Sequence, residues 1–173
     1  MRKSDSMYST SGWASIEEKI DEAKLLYERW EGALRHNGGI LDLIERLDIR
    51  VRSTQEAMQA LGVVNTCRKC EEEEGGSCCG AGIENRYTSL ALLINLLLGA
   101  SLPDGRTHAD SCYFLSAHGC CLKARHTLCV NYLCAKLQRH LPQAKIIELH
   151  HTIGEELDTG FALYEAIKKL LPC

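Results

Sequence analysis

Nine cysteines between positions 67 and 134 are the residues of this chain best suited to chemistry. They form two batches separated by an apolar run, and a tenth cysteine stands at position 173. Thiols at this density and spacing are typical of disulfide frameworks, zinc sites or iron–sulfur clusters. The nine are Cys67, Cys70, Cys78, Cys79, Cys112, Cys120, Cys121, Cys129 and Cys134.

The first batch combines a Cys-x-x-Cys pair with two adjacent cysteines. Cys67 and Cys70 are spaced so that a knuckle of backbone directs two thiolates at one metal ion, and the two basic residues between them would lower the thiol pKa. Cys78 and Cys79 follow in a glycine-rich stretch, which lets backbone approach a cluster closely. Adjacent thiols are easier to accommodate on a polynuclear cluster than on one zinc ion.

The second batch has a more specific order. It contains Cys-x-Phe-Leu, then Gly-Cys, then Arg-x-x-x-Cys and an aromatic residue before its last cysteine. Together with the first batch, this order resembles the CxxCxxCC family, whose members are described as zinc- or iron-chelating (YkgJ-like) proteins. The resemblance covers residues 67–134 and does not extend to the flanking helices. It implies a thiolate-held metal centre whose ligands are Cys67, Cys70, Cys78, Cys79, Cys112, Cys121, Cys129 and Cys134.

The chain departs from the family pattern at three points. The gap between Cys70 and Cys78 is longer than two residues and contains an acidic run, 71–74, that we expect to be a solvated loop. His126 stands where the family has a proline, and Cys120 is additional. A related segment occurs in flagellin lysine methylases, so the resemblance allows an enzymatic setting.

Other side chains near the second batch are candidates for supporting roles. Arg125 is the predicted cofactor-binding residue, because its charge would pair with the negative charge of a thiolate-bound cluster. The alternative is an ion pair with a carboxylate on a neighbouring helix. His108, His118 and His126 would each be able to replace a thiolate ligand, although a surface or supporting role is more common for a single histidine.

The identity of the metal follows from ligand number and softness. We predict an iron–sulfur cluster of the [4Fe–4S] type, used in redox or sulfur-related chemistry. The alternative is a structural zinc module for protein–protein interaction, in which two tetrahedral sites use eight thiols. Disulfides are disfavoured in a reducing compartment. An enzyme that uses the cluster as an electron relay or Lewis acid is a third hypothesis, but the sequence has no conventional catalytic triad or nucleotide motif.

Composition excludes several classes of function. The chain has 173 residues and a net charge of −3 with both signs interspersed, which is unlike a nucleic-acid-binding surface. The longest apolar run, 90–98, is too short to span a bilayer of about 30 Å. The polar start, 1–12, resembles neither a signal peptide nor an anchor. We therefore expect a cytoplasmic protein whose partner is another protein, a small molecule or a second copy bound through the helices.

Three amphipathic stripes frame the cysteine-rich region. Ser15 and Glu18 form a capping box at the start of the first helix, and glycines after Asn37 and at Gly62 mark the ends of the first two. Pro142 precedes the third helix. Apolar residues recur at spacings of three and four in each stripe. The stripes are Ile16, Ile20, Ala23, Tyr27, Trp30 and Leu34; Ile40, Ile44, Leu47, Val51, Thr54, Met58 and Leu61; and Ile146, His150, Ile153, Leu157, Gly160, Tyr164, Ile167 and Leu171.

The sequence thus predicts an all-α protein, a bundle of three long helices with an inserted cysteine-rich metal-binding region. Residues 1–66 would form an antiparallel hairpin, seam against seam, and residues 135–173 a helix that covers it. Residues 67–134 would bind metal on a buried helix at 88–98, all within one compact domain. His150 is predicted to be a core histidine, and Cys173 a free thiol.

Overall fold

The computed structural model describes residues 14–73 and 78–171. Helices dominate this part of the chain, which confirms the predicted all-α class. The polar segment 1–12, residues 74–77 and Cys173 lie outside the described residues. The elements are α1 (Ile16–His36), α2 (Gly38–Ala60), α3 (Val63–Glu73), a 3₁₀ helix (Ile83–Arg86), α4 (Ser89–Leu97), α5 (Thr127–Asn131), α6 (Ala135–His140), α7 (Gln143–Leu170), and an antiparallel pair of short strands, β1 (Leu115–Ser116) and β2 (Gly119–Cys120).

The first two helices begin and end at the predicted signals. The Ser15 hydroxyl accepts a hydrogen bond from the Glu18 backbone N–H at 3.2 Å, and the Glu18 carboxylate accepts one from the Ser15 N–H at 2.7 Å. Asn37 ends α1 and caps α2 by accepting from the Ile40 N–H at 3.1 Å. Gly62, just beyond α2, has a φ of 70°, a left-handed conformation that favours glycine.

The long helices pack in two pairs. α2 lies along α7, and Arg50 of α2 forms an ion pair with Glu155 of α7 at 2.8 Å. α1 lies mainly along α4, where Arg35 donates a hydrogen bond to the Leu97 carbonyl at 2.8 Å. The predicted seam of α1 against α2 is therefore wrong. The apolar helix α4, rather than α2, covers most of the buried face of α1. The contact between α1 and α2 is limited.

Three apolar clusters fill the interior. The first lies between α1, α2, α4 and α7; the second joins the start of α1 to Tyr87 and residues 112–114; the third joins the end of α2 and α3 to residues 130–153. The buried helix predicted at 88–98 is confirmed as α4. It supplies the first cluster with Leu90, Leu93, Ile94 and Leu97. Within the described residues, no helix is both long and apolar enough to cross a membrane.

The buried face of α7 differs from the predicted third stripe. Ile146, Ile153 and Ile167 are buried as expected, but His150 is exposed, so the prediction of a core histidine is wrong. The helix runs unbroken from Gln143 to Leu170, and its buried positions follow a different phase. The residues that this phase adds to the interior are Leu149, Glu156, Thr159 and Leu163.

Candidate metal centre

The Cys-x-x-Cys pair of the first batch lies on a helix. Cys67 and Cys70 stand three residues apart on α3, a spacing that places them one turn apart on the same side. The expectation of a knuckle is therefore wrong, because residues 63–73 contain no glycine or proline to interrupt the helix. The expected loop at 71–74 is also wrong for residues 71–73, which form the last turn of α3, and residue 74 lies outside the described residues. Cys67 packs against the third apolar cluster, and Cys134 packs against the same cluster from the N-terminal cap of α6.

A short stretch of paired backbone joins the two batches. Gly80 and Ser111 form an isolated antiparallel bridge, and the Cys112 N–H donates a hydrogen bond to the Cys79 carbonyl at 2.6 Å. The bridge places the adjacent-cysteine segment of the first batch directly beside the first cysteine of the second batch. Both Cys79 and Cys112 belong to the second apolar cluster.

Polar side chains fix this bridge to its surroundings. The Ser111 hydroxyl donates to the Glu71 carboxylate on α3 at 2.6 Å, and Arg106 donates to the Ser111 carbonyl. Arg106 also forms an ion pair with the buried Glu84, whose other oxygen accepts from the Gly82 N–H at 2.9 Å. Burial opposes ionisation of Glu84, but Arg106 and the backbone N–H groups hold the pKa of its carboxyl below the ordinary value.

Thiols from both batches lie within electrostatic range of Cys67. Burial raises the pKa of the Cys67 thiol to about 11, and repulsion from Cys78, Cys79, Cys134 and Cys70 adds to the increase. Burial also raises the pKa of Cys78, with further contributions from Cys79 and Cys134. Thiols of the helix α3, the paired segment and the cap of α6 therefore lie within electrostatic range of one another.

Cys112 and Cys129 extend this group. Burial raises the pKa of Cys112 to about 11, and repulsion from Glu84, Cys129 and Cys79 contributes to the increase. Burial and the nearby Cys79 likewise raise the pKa of Cys129, while a hydrogen bond with the Tyr87 hydroxyl opposes this. We refer to the whole group as the thiol cluster: Cys67, Cys70, Cys78, Cys79, Cys112, Cys129 and Cys134.

The remaining two cysteines of the second batch adjoin the thiol cluster through Cys112. Cys120 ends β2 at an exposed position, but burial of its thiol raises its pKa to about 12, and Cys121 is half-buried against the second apolar cluster. The electrostatic neighbours of Cys120 include Cys121, Cys112 and Arg125. Of the eight cysteines implied by the family resemblance, Cys121 is the one whose thiol pKa is raised by burial without a contribution from a member of the thiol cluster.

Arg125 lies between the thiols and a helix carboxyl. Its charge favours the thiolate forms of Cys120 and Cys129 and the ionised form of Glu156 on α7. Both interpretations of its charge, a partner for thiolates and a partner for a carboxylate, are therefore compatible with its position. The guanidinium Nη2 contacts the Met58 sulfur at 3.3 Å.

The histidines near the second batch have separate positions. His108 and His118 are exposed. His126 caps α5, because its Nδ1 accepts a hydrogen bond from the Leu128 N–H at 3.2 Å. Its backbone N–H donates to the Tyr87 hydroxyl at 2.7 Å. His126 thus holds the start of the helix that carries Cys129.

Asn95 is a positioning residue that no motif identified. It is buried on α4, and its Oδ1 accepts hydrogen bonds from the N–H groups of Lys123 at 2.9 Å and Ala124 at 3.0 Å. Its Nδ2 donates to the carbonyls of Ala124 at 2.9 Å and Ala91 at 3.0 Å. The sequence signal for this role was the single amide side chain in an otherwise apolar helix. A buried amide of this kind usually has hydrogen-bond partners.

The nine cysteines in the described part of the chain are all free thiols. Within residues 14–73 and 78–171, no three His, Cys, Asp or Glu side chains form a ready-made metal site. The donor set nevertheless fits a soft metal, because thiolates are the ligands that zinc and iron–sulfur clusters share. Binding would require the side chains of the thiol cluster to draw together around the metal.

Comparisons with known protein families, curated proteins and solved structures gave no match for this chain. The resemblance to the CxxCxxCC family therefore stays a prediction that rests on the order and spacing of the cysteines.

Proposed function

We propose that the cysteine-rich region holds a thiolate-bound iron–sulfur cluster of the [4Fe–4S] type, which serves redox or sulfur-related chemistry. The observation that supports this proposal is the thiol cluster itself. Each of these seven cysteines lies within electrostatic range of at least one other, and all are free thiols. A shared metal centre would draw the thiols of α3, the paired segment and the cap of α6 together.

The ligands are drawn from both batches. Cys67 and Cys134 pack on the same apolar cluster, and Cys78 and Cys79 lie within electrostatic range of Cys67. These four are our first assignment for the ligands of one centre. Cys129 approaches the same group through Cys79. Arg125 would balance part of the negative charge of the bound thiolates.

Adjacent cysteines favour a cluster over a single metal ion. Cys78 and Cys79 are both near Cys67, although successive side chains diverge from the backbone. Four iron atoms present ligand positions on different sides, so neighbouring thiolates are able to bind different irons.

Structural zinc is the second candidate. The observation that favours it is the spread of the thiols, which extends from Cys67 and Cys70 on α3 to Cys112 and Cys129. Two tetrahedral zinc sites, each with four thiolate ligands, would accommodate thiols spread over this region more easily than a single metal centre. They would tie together the second and third apolar clusters, both of which include cysteines of the thiol cluster.

Metal and sulfide analysis tests the proposal. The full chain is purified without oxygen, and iron, zinc and acid-labile sulfide are measured per chain together with the visible spectrum. About four iron and four sulfide with brown colour would support the [4Fe–4S] cluster. Zinc without sulfide would support the structural module instead. Neither metal, before or after reconstitution, would overturn both.

Serine variants locate the ligands. Cys67→Ser and Cys134→Ser are expected to lower metal content strongly, whereas the matched control Cys120→Ser should retain it, because Cys120 is exposed and outside the assigned set. Cys121→Ser distinguishes the family-implied ligand set from the thiol cluster. Full metal content in both Cys67→Ser and Cys134→Ser would show that the assigned ligands are wrong.

A further inference from the structure

A cavity of about 400 Å³ lies next to the segment that leads into Cys129. Its walls come from α2, α4, α7 and residues 86–88 and 124–127. This volume falls in the range of small-molecule sites, about 300–1,000 Å³. Much of the wall is apolar and comprises Leu47, Ala91, Ile94, Leu157, Phe161 and Tyr164.

A buried carboxyl group opens into this cavity. Glu156 of α7 is only 3% exposed, and it forms no ion pair within the part of the chain that the structure describes. The Thr54 hydroxyl lies near the carboxyl, but it makes no hydrogen bond of normal geometry. A buried polar group without good partners is costly, so a ligand that supplies a partner would be favoured.

Two guanidinium groups give the cavity a positive charge. Arg125 lines it, and the contact of its Nη2 is the Met58 sulfur at 3.3 Å, a weak acceptor. Arg86 lines the cavity at an exposed position. Glu156 carries at most one negative charge against these two. The polar part of the cavity therefore favours an anion, and a guanidinium binds a carboxylate through two parallel hydrogen bonds.

We infer that this cavity binds a small organic carboxylate with an apolar body. The ligand carboxylate pairs with Arg125 and shares one proton with the Glu156 carboxyl, a proton that is taken up on binding if Glu156 is ionised, while the apolar body lies against α4 and α7. An amine would meet two guanidinium groups, and a small inorganic anion would leave the apolar wall uncovered. The site uses no cysteine and does not require a bound metal, although it shares Arg125 with the proposed metal centre.

Calorimetric titration of the full chain, as purified without oxygen, with three probes of the same shape tests the chemistry. Phenylacetate should bind, its neutral analogue phenylacetamide should bind at least about tenfold more weakly, and the cationic analogue phenethylamine should not bind detectably. Equal affinities for the three probes, preferential binding of the amine, or no binding of phenylacetate at millimolar concentration would overturn the assignment.

Substitutions test the location. Arg125→Gln should weaken phenylacetate binding at least about tenfold, and the exposed Arg86→Gln should weaken it less. Arg139→Gln, at an exposed position on α6 outside the cavity wall, is the matched control and should leave affinity unchanged. Ala91→Leu keeps every charge and fills part of the cavity, so it should abolish binding.

Circular dichroism and metal content are recorded for each variant to separate loss of binding from loss of fold. If Arg125→Gln fails to fold, the location is tested by the phenylacetate affinities of Ala91→Leu and Arg86→Gln. Unchanged affinity in folded Arg125→Gln, or in folded Ala91→Leu, would show that the carboxylate does not bind here.

Discussion

Replacement of Asn95 by alanine should destabilise the protein and loosen both sites. The Asn95 amide is 1% exposed, and it makes three hydrogen bonds from α4 to the backbone of Lys123 and Ala124. These two residues immediately precede Arg125, which lines the cavity and acts on the thiol of Cys129. Alanine removes all three bonds and leaves the partner groups of the 123–124 backbone without a replacement.

The expected loss follows from the number of these bonds. A hydrogen bond in a protein contributes about 1 kcal/mol net, and an unsatisfied buried group costs about 1–3 kcal/mol. Three bonds from Asn95 therefore predict a loss of about 3 kcal/mol in the free energy of unfolding. For a protein of this length, about 1 kcal/mol corresponds to about 2–4 °C in Tm, so Tm should fall by about 6–12 °C.

Thermal unfolding followed by circular dichroism, with every variant first treated with a chelator, measures this change. Asn131→Ala is the matched control, because Asn131 is an exposed amide at the end of α5, and its Tm should stay within about 2 °C of the unmodified protein. If Tm falls by less than about 2 °C in Asn95→Ala, the role assigned to Asn95 is refuted. A second readout is metal content, which should decrease as the segment carrying Cys129 loosens.

Three further outcomes follow from single contacts. Burial raises the pKa of Glu156 above 4.5, so the folded protein holds this proton more tightly and its stability falls as pH rises through the folded pKa. Relative to the unmodified protein, Glu156→Gln should therefore become more stable between about pH 4 and pH 8 in urea unfolding, and a difference independent of pH would contradict this. Arg106→Gln leaves the buried Glu84 without its ion-pair partner and should lower stability by about 3 kcal/mol in the same assay; a loss under about 1 kcal/mol would show that the pair is dispensable. In the metal-loaded protein iodoacetamide should modify Cys67 only after a chelator removes the metal, as mass spectrometry of peptides would show, whereas early modification of Cys67 would exclude it as a ligand.

The helical scaffold was predictable where local signals and packing agree. In α2 the residues at spacings of three and four that the sequence selected, from Ile40 to Met58, are the buried residues of the helix. The capping box at Ser15 and the glycine at position 62 set the helix ends through interactions of a few neighbouring residues. Such signals need no knowledge of the rest of the fold.

The partners of each helix were not predictable in this way. A stripe specifies which face is buried but not which helix covers it, and α4 covers α1 although the two are distant in sequence. In α7 the apolar residues allow more than one phase over 28 residues. The predicted stripe placed His150 in the interior and omitted Glu156. Apolar periodicity does not identify a buried polar residue such as Glu156, which lines a cavity.

The candidate site likewise has features that the sequence predicted and features that depend on the tertiary structure. The cysteines were identified from spacing alone, but their grouping depends on a backbone bridge between Gly80 and Ser111 that has no motif. The helical setting of Cys67 is by contrast local, because residues 63–73 contain no glycine or proline that would interrupt α3. Tyr87 and His126, which hold the start of α5, also act through contacts between loops.

The cysteine-rich region and the scaffold share one interior, and this explains why Asn95 is expected to matter to both sites. α4 lies within the cysteine-rich part of the sequence, yet its leucines belong to the apolar cluster shared with α1, α2 and α7. Asn95 links that helix to the 123–124 backbone, and Arg125 follows at once. The position of Arg125 is therefore determined by the packing of the long helices as much as by its own loop. Any change that displaces α4 should move the thiol of Cys129 and the wall of the cavity together.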